Sequence, residues 1–184
     1  MDLLRMHLVF WTTALFITNY YLTSAEKRIL MKNFDPEKIQ GKWYLQRLNM
    51  ILVSDVHPEL ECIEFTLNHD PLIEDLYNLS SHWFNNNHEY QETHFNILDD
   101  RTEKARYFFQ SHKDKVAVSI LGTDYDNWML GFGANLGKDS YYIASRAKSF
   151  PKQYMPAIDE LLALNEVTRN WIEVKNDGEC PEGH

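Results

Sequence analysis

The chain has 184 residues, 44% of them hydrophobic and 14% aromatic, which is the size and composition of one domain with its own core. Its formal net charge is −9. Lys and Arg are not clustered, and phosphate binding needs clustered positive charge, so composition argues against a nucleic-acid partner.

The first 25 residues differ in kind from the rest. Arg5 gives a basic start, residues 7–22 are mostly apolar, and small residues follow at 23–25, at the spacing of a signal-cleavage site. The apolar run is too short and too interrupted for a membrane span. We therefore predict a removed secretory signal over 1–25 and a single secreted, extracellular domain over 26–184, with no stable membrane insertion after cleavage. An uncleaved anchor is the alternative.

The chain contains two cysteines, Cys62 and Cys180. An even count in an oxidising compartment predicts a disulfide, which would hold the C-terminal tail against an early strand. The alternative is two unpaired thiols.

Alternation of apolar and polar residues predicts eight strands separated by turn residues, at 42–48, 62–67, 72–84, 90–98, 104–110, 115–123, 127–134 and 141–146. The period changes to helical spacing over 151–165. Consecutive antiparallel strands without intervening helices favour an up-and-down barrel, which leaves no exposed sheet edge. We predict an all-β fold: an eight-stranded antiparallel up-and-down β-barrel with one C-terminal α-helix packed outside.

Three motifs occur in order along this pattern. The first runs from Phe34-Asp35 to Gly41-Lys42-Trp43, where Asp35 can cap a helical turn that leads into a strand. The second is Thr123-Asp124-Tyr125, and the third is Arg146 at the end of the eighth strand. Together they resemble the lipocalin family. The resemblance implies that Trp43 closes the base of the barrel and that Arg146 packs over its ring.

The segments Asn33-Phe34-Asp35, Cys62-Ile63 and Cys180-Pro181 narrow the resemblance to the group of apolipoprotein D and the insect bilin-binding proteins. In that group the early cysteine pairs with the Cys-Pro near the C-terminus. A second disulfide, usual in these relatives, has no counterpart here, because the chain has only two cysteines.

If Trp43 points inward, alternation predicts which side chains line the interior. The predicted lining is aromatic and mostly uncharged, suited to a flat or long hydrophobic molecule, with simple core filling as the alternative for each residue. Residues 49–60 take the position of the lipocalin flap, with Met50 and His57 as candidate gating residues. The lining residues are Phe65, Leu67, Phe95, Tyr107, Phe109, Val118, Ile120, Met129 and Tyr142.

Catalytic and metal sites have little support in the sequence. The histidines are scattered without metal-site spacing, and His94 should face outward if Phe95 faces inward, which disfavours a haem ligand. Glu64 and Glu92 fall on predicted outer faces, so no buried carboxylate pair is predicted for acid–base chemistry. Asn78-Leu79-Ser80 is an acceptor sequence for N-glycosylation.

We therefore predict a non-enzymatic, secreted binding protein that sequesters a small hydrophobic ligand inside the barrel. The resemblance implies a bilin, retinoid, sterol or fatty acid. No cofactor is certain, with a bound bilin or retinoid as the candidate. The alternative is a filled barrel that acts through its surface on a receptor or in a homo-oligomer. An isomerase or a haem-binding protein ranks below both.

Overall fold

The computed structural model describes residues 28–49, 60–85, 87–111, 114–135, 138–167, 171–176 and 180. The signal predicted over 1–25 and most of the 49–60 loop lie outside these residues. The helical elements are a 3-10 turn at Lys152–Tyr154 and helix α1 at Met155–Leu164. The strands are β1 (Gly41–Leu48), β2 (Glu64–His69), β3 (Leu76–Phe84), β4 (Tyr90–Asp99), β5 (Arg106–Ser111), β6 (Asp114–Thr123), β7 (Trp128–Asn135), β8 (Lys138–Ser145) and β9 (Ile172–Glu173).

The first eight strands form one closed antiparallel meander. Each strand pairs with the next in the chain from β2 to β8, and β1 closes the ring by pairing with both β8 and β2. The prediction of an eight-stranded up-and-down barrel is confirmed. The beginning of β1 and the end of β2 lie at one end of the barrel, which we call the closed end. The other is the open end, where residues 49–60 leave β1.

A ninth, two-residue strand was not predicted. β9 pairs with the last residues of β1, and Val174 N–H donates to the carbonyl of Gln46 at 2.9 Å. The predicted disulfide is present, joining Cys62 to Cys180 across 118 positions. The C-terminal segment thus covers the open-end part of β1 and is fixed covalently to the residue range that precedes β2.

The start of the third strand was predicted wrongly. The alternation suggested a strand from residue 72, but β3 begins at Leu76, and Leu72 is 91% exposed in a turn. Asp70 accounts for the difference, because its Oδ1 accepts hydrogen bonds from the backbone N–H groups of Leu72 and Ile73. An Asx turn of this kind ends a strand whatever the hydrophobicity of the residues that follow.

Helix α1 packs outside the barrel, as predicted. Ile158 and Leu162 are buried, and Leu161 lies so close to Gly122 on β6 that a Cβ there would overlap it. Outward residues of the neighbouring strand β7 are buried as well, Leu130 with 0% of its surface exposed. Both faces of the sheet are therefore apolar in this sector, which places the helix here.

Candidate functional site: the barrel interior

Strand register brings the predicted lining residues onto one face. Residues directly opposite each other in an antiparallel ladder point to the same side of the sheet. The pairs that carry this relation around the barrel are Trp43–Phe65, Leu67–Leu79, Leu79–Phe95, Ile97–Phe109, Tyr107–Val118, Ile120–Gly131 and Gly131–Tyr142, with Thr123–Met129 lower on β6 and β7. Every predicted lining residue lies on the face that carries Trp43. The Phe109 side chain lies outside the part of the chain that the structure describes.

Burial along this face changes with depth. Near the closed end, Leu67, Ile120 and Met129 are at most 6% exposed and form a packed floor. In the middle of the barrel, Phe65, Phe95 and Val118 are only half-buried although they point inward. Their exposed surface faces the space that the strands enclose. The lining residues therefore divide into a packed floor and an accessible middle layer.

Tyr142 occupies the middle of the interior. Its ring lies directly over Gly131, where any Cβ would overlap it, and meets Phe65 edge-on with 6.4 Å between ring centroids. Burial raises the pKa of its hydroxyl far above the usual range, although the side chain keeps accessible surface. A side chain that is shielded from bulk water and still accessible borders an internal space. Glycine at 131 thus makes room for the Tyr142 ring inside the barrel.

The closed end is built around Trp43. Its indole is fully buried, and Nε1 donates to the carbonyl of Ile39 at 2.8 Å. The Arg146 guanidinium lies 3.7 Å from the centroid of the Trp43 ring and donates to the carbonyls of Lys42, Tyr125 and Lys38. Desolvation lowers the pKa of Arg146 below its usual value. A cation stacked on indole and bonded to three carbonyls joins β1, β8 and the 123–127 turn.

The Thr123-Asp124-Tyr125 segment forms the turn beside this plug. Asp124 Oδ1 accepts from the backbone N–H groups of Asn127 and Trp128, and Thr123 Oγ1 donates to the carbonyl of Trp128 at 2.6 Å. The Tyr125 hydroxyl accepts from the Asp35 N–H at 2.8 Å. The first and second motifs are therefore in direct contact.

Of the polar groups on the closed-end floor, Tyr107 was among the predicted lining residues, whereas Tyr77 and Asp99 were not. Tyr77 and Tyr107 lie edge to face with centroids 5.5 Å apart, and Asp99 is directly opposite Tyr107. Burial, then Glu37 and Asp99, raise the pKa of Tyr77 to about 12. Burial, then Asp75, raises the pKa of Asp99 to about 6. Asp99 lies two residues after the inward-facing Ile97, so alternation would have placed Asp99 on the inner face.

The structure adds further inward positions to the predicted lining. Leu79 and Trp83 on β3, with Ser81 between them and Thr93 opposite Ser81, share the inner face. Once β3 is known to begin at Leu76, alternation from the inward Tyr77 would have identified them. The open-end half of the interior is therefore less uniformly apolar than predicted.

The outer face carries the acids that the sequence placed there. Glu64 and Glu92 are on the outer face by register, and His94 is exposed there, 3.2 Å from a Glu92 oxygen through Nε2. Glu64 is nevertheless 4% exposed and receives an ion pair from Lys42 at 2.8 Å. Among the described residues, no group of three or more His, Cys, Asp and Glu is placed to hold a metal ion.

Three remaining predictions concern the glycosylation acceptor, the gating residues and membrane insertion. Asn78 is exposed on the outer face of β3, as an occupied glycosylation site requires. Met50 and His57 lie outside the described residues. Within the described ranges, no helix has the length and apolar character needed to cross a membrane.

No protein-family model matches the chain. Over 117 residues it is 28% identical to major urinary protein 5 of Mus musculus, a match that spans 62% of this chain and 61% of that protein's length.

Solved structures match over more of the chain. Lobster apocrustacyanin A1 matches with a TM-score of 0.67 at 14% identity, covering 90% of this chain and 88% of its own. The cockroach allergen Per a 4 matches with a TM-score of 0.64 at 16% identity, covering 81% of this chain and 95% of its own. The chain therefore has the lipocalin fold.

Proposed function

We propose that this chain is a secreted lipocalin, of the apolipoprotein D and bilin-binding type, that carries a small hydrophobic ligand inside its barrel. The observation that carries this proposal is the half-buried state of inward-facing Phe65, Phe95, Val118 and Tyr142 above a fully packed floor. An interior filled by its own side chains would bury these positions as completely as Leu67 and Met129. The accessible layer is apolar and aromatic, which suits a flat or elongated apolar ligand.

Affinity would come from burial of the ligand's apolar surface, at roughly 25 cal/mol per Å². The resemblance gives bilins, retinoids, sterols and fatty acids as candidate classes. The Cys62–Cys180 disulfide supports secretion, because such bonds persist mainly in oxidising compartments. Both cysteines of the chain are in this bond, so neither is available as the thiolate nucleophile of an isomerase.

The test begins with protein secreted by its own cells, before any refolding. Native mass spectrometry and an absorption spectrum would detect a co-purifying hydrophobic ligand. The emptied protein is then titrated with retinol, biliverdin, cholesterol and palmitate. We expect micromolar or tighter binding of at least one probe. Failure to take up any of them, with no ligand co-purifying, would contradict the proposal.

Two tryptophan variants on one strand separate binding inside the barrel from binding outside it. Val118 faces the interior and Ala117 the exterior, and both are half-buried. Val118→Trp adds bulk to the accessible layer and should reduce affinity at least tenfold. Ala117→Trp adds the same bulk outside and should leave affinity unchanged. Equal losses in both variants would place the bound probe elsewhere.

A second candidate function is a surface-acting barrel. The edge contact between Phe65 and Tyr142 narrows the interior, and Leu72 and Leu98 are exposed on the outside near the closed end, by 91% and 52%. Sedimentation of the secreted protein over a range of concentrations tests self-association. A monomer that takes up a probe would exclude this second candidate as the main activity.

A further inference from the structure

Tyr142 presents a hydroxyl inside the barrel that no neighbouring protein group binds. This hydroxyl forms no hydrogen bond with any residue that the structure describes, and, unlike the Tyr107 hydroxyl on the floor, it is not sealed from contact by surrounding atoms. Burial raises the pKa of the Tyr142 phenol, so the hydroxyl stays protonated at neutral pH. An accessible donor that is shielded from bulk water needs a partner that enters the interior.

The Tyr142 ring is held in one position against the barrel wall. Its hydroxyl end lies over Gly131 on the neighbouring strand β7, which has no side chain to displace it. Phe65 meets the ring edge-on, with 6.4 Å between ring centroids. A donor that is fixed in this way loses little freedom when a ligand binds.

The hydroxyl lies where the packed floor meets the accessible layer. Ile120, directly opposite Gly131 on β6, is 3% exposed and belongs to the floor. Val118, the next inward position towards the open end, is half-buried. A ligand that fills the accessible layer would therefore bring its inner end to the Tyr142 hydroxyl.

The surroundings of this hydroxyl are apolar. Tyr142 packs against the buried cluster of Leu48, Leu60 and Val174. Among the described residues, no charged side chain contributes to the raised pKa of Tyr142, which comes from burial. A carbonyl oxygen needs only a donor, whereas a ligand hydroxyl would bring a proton of its own into apolar surroundings. The site therefore suits a carbonyl group better than an alcohol.

We propose that Tyr142 determines ligand specificity by donating a hydrogen bond to a carbonyl oxygen at the inner end of a neutral, otherwise apolar ligand. The ligand class is thus a ketone or an aldehyde on a hydrocarbon frame. This inference rests on the proposed function and narrows the ligand that the barrel carries.

Two flat tricyclic probes test the proposal because they share one frame. Fluorenone has a carbonyl at the carbon where fluorene has a methylene group. Each probe is equilibrated by dialysis at neutral pH with the emptied, disulfide-intact protein, as the wild-type chain and as Tyr142→Phe, which keeps the ring and removes the hydroxyl. We expect the variant to bind fluorenone about fivefold to tenfold more weakly and fluorene within about twofold of the wild type. Affinity for fluorenol, with a hydroxyl at the same carbon, should fall less than about threefold.

Two control variants show whether the effect belongs to this hydroxyl. Tyr44→Phe removes a hydroxyl from the outer face by register and should change neither affinity. Thr93→Val removes an inner-face hydroxyl of β4 near the open end and should change fluorenone affinity by less than about twofold, because water competes for a ligand there. Thermal melts confirm folding, and Tyr142→Phe should melt at or above the wild-type temperature because it loses no intramolecular hydrogen bond.

The outcomes separate this inference from the function on which it rests. Equal effects of Tyr142→Phe on fluorenone and fluorene would overturn the role of Tyr142 and leave the carrier function standing. A loss in Thr93→Val in place of Tyr142→Phe, or no uptake of fluorenone by protein that binds retinol, biliverdin, cholesterol or palmitate, would do the same. Failure of every hydrophobic probe would overturn both.

Discussion

The two ends of the barrel differ in how closely their inward-facing side chains are packed. At the closed end, Trp43 is completely buried, Arg146 stacks on it, and three backbone carbonyls accept from the guanidinium. In the middle and towards the open end, inward residues such as Phe95 and Val118 keep accessible surface. Packing and stacking therefore concentrate stability at the closed end, while packing above it is incomplete, and it is there that we propose a ligand binds.

Two tryptophans on the same inner face give the strongest test of this difference in packing between the two ends. Trp43 is fully buried at the closed end, and Trp83 is half-buried near the open end. We expect Trp43→Ala to lower the free energy of unfolding by about 3–5 kcal/mol through the cavity and the lost cation–π contact. Trp83→Ala should cost about 1 kcal/mol. Urea denaturation of both variants measures the difference, and equal losses would contradict the division between the ends.

Removing the disulfide tests how the open end is held. The Cys62–Cys180 bond closes a span of 118 positions and fixes the segment that contains β9. We expect the double variant Cys62→Ala/Cys180→Ala to lose about 2–4 kcal/mol of unfolding free energy, largely through greater freedom of the unfolded chain.

Hydrogen exchange of the double variant shows which part of the fold loses stability when the disulfide is removed. Protection of β1 residues 47–48 and of β9 should fall most, while amides around Trp43 keep their relative protection. A uniform loss along the chain would mean that the disulfide does not act preferentially at the open end.

Arg146→Lys tests how much the guanidinium contributes to the stability of the closed end, with a smaller expected effect. Lysine keeps the charge but cannot donate to three carbonyls in the planar arrangement of the guanidinium. We expect a loss of about 1–2 kcal/mol in unfolding free energy. Arg47→Lys, at an exposed ion pair with Glu173, is the matched control and should cost less than about 0.5 kcal/mol. Similar losses in the two variants would contradict a special role for Arg146.

The smallest expected effect concerns Asp99, the acid on the closed-end floor. The pKa of Asp99 is raised to about 6, so the folded protein binds this proton more tightly than the unfolded chain. The unfolding free energy should therefore decrease as pH rises from about 4 to about 6 and stay lower above that range. At neutral pH, Asp99→Asn should stabilise the fold by about 1 kcal/mol after allowance for solvent screening.

Urea denaturation at about pH 4 and pH 7.5 measures this effect. The gain from Asp99→Asn should be present at the higher pH and absent at the lower one. Asp159→Asn, at an exposed acid of helix α1, controls for the loss of one surface charge. A gain of the same size at both pH values would show that Asp99 is not titrating as described.

Most strands were predictable because they bury one face and expose the other, and β7, which is buried on both faces, was bounded by turn residues. Alternation and turn residues together located all eight barrel strands, and alternation placed Glu64 and Glu92 on the outer side. It failed where a side chain overrides hydrophobicity. Asp70 turns the chain at Leu72 and Ile73 although both are apolar. It also missed β9, because two residues are too few to show a period.

The sequence by itself determined the order of strands, the residues that face inward and the motifs that meet at the closed end. These follow from local periodicity and from side chains that bond within a few positions, as Asp124 does with Asn127 and Trp128. Only the tertiary structure decided how deeply each inward residue is buried, that Tyr142 lies over Gly131, and that the Tyr107 hydroxyl and Asp99 Oδ1 have no hydrogen-bond partner among the described residues. Those properties depend on strands far apart in the chain, whose separation is set by the closure of the barrel.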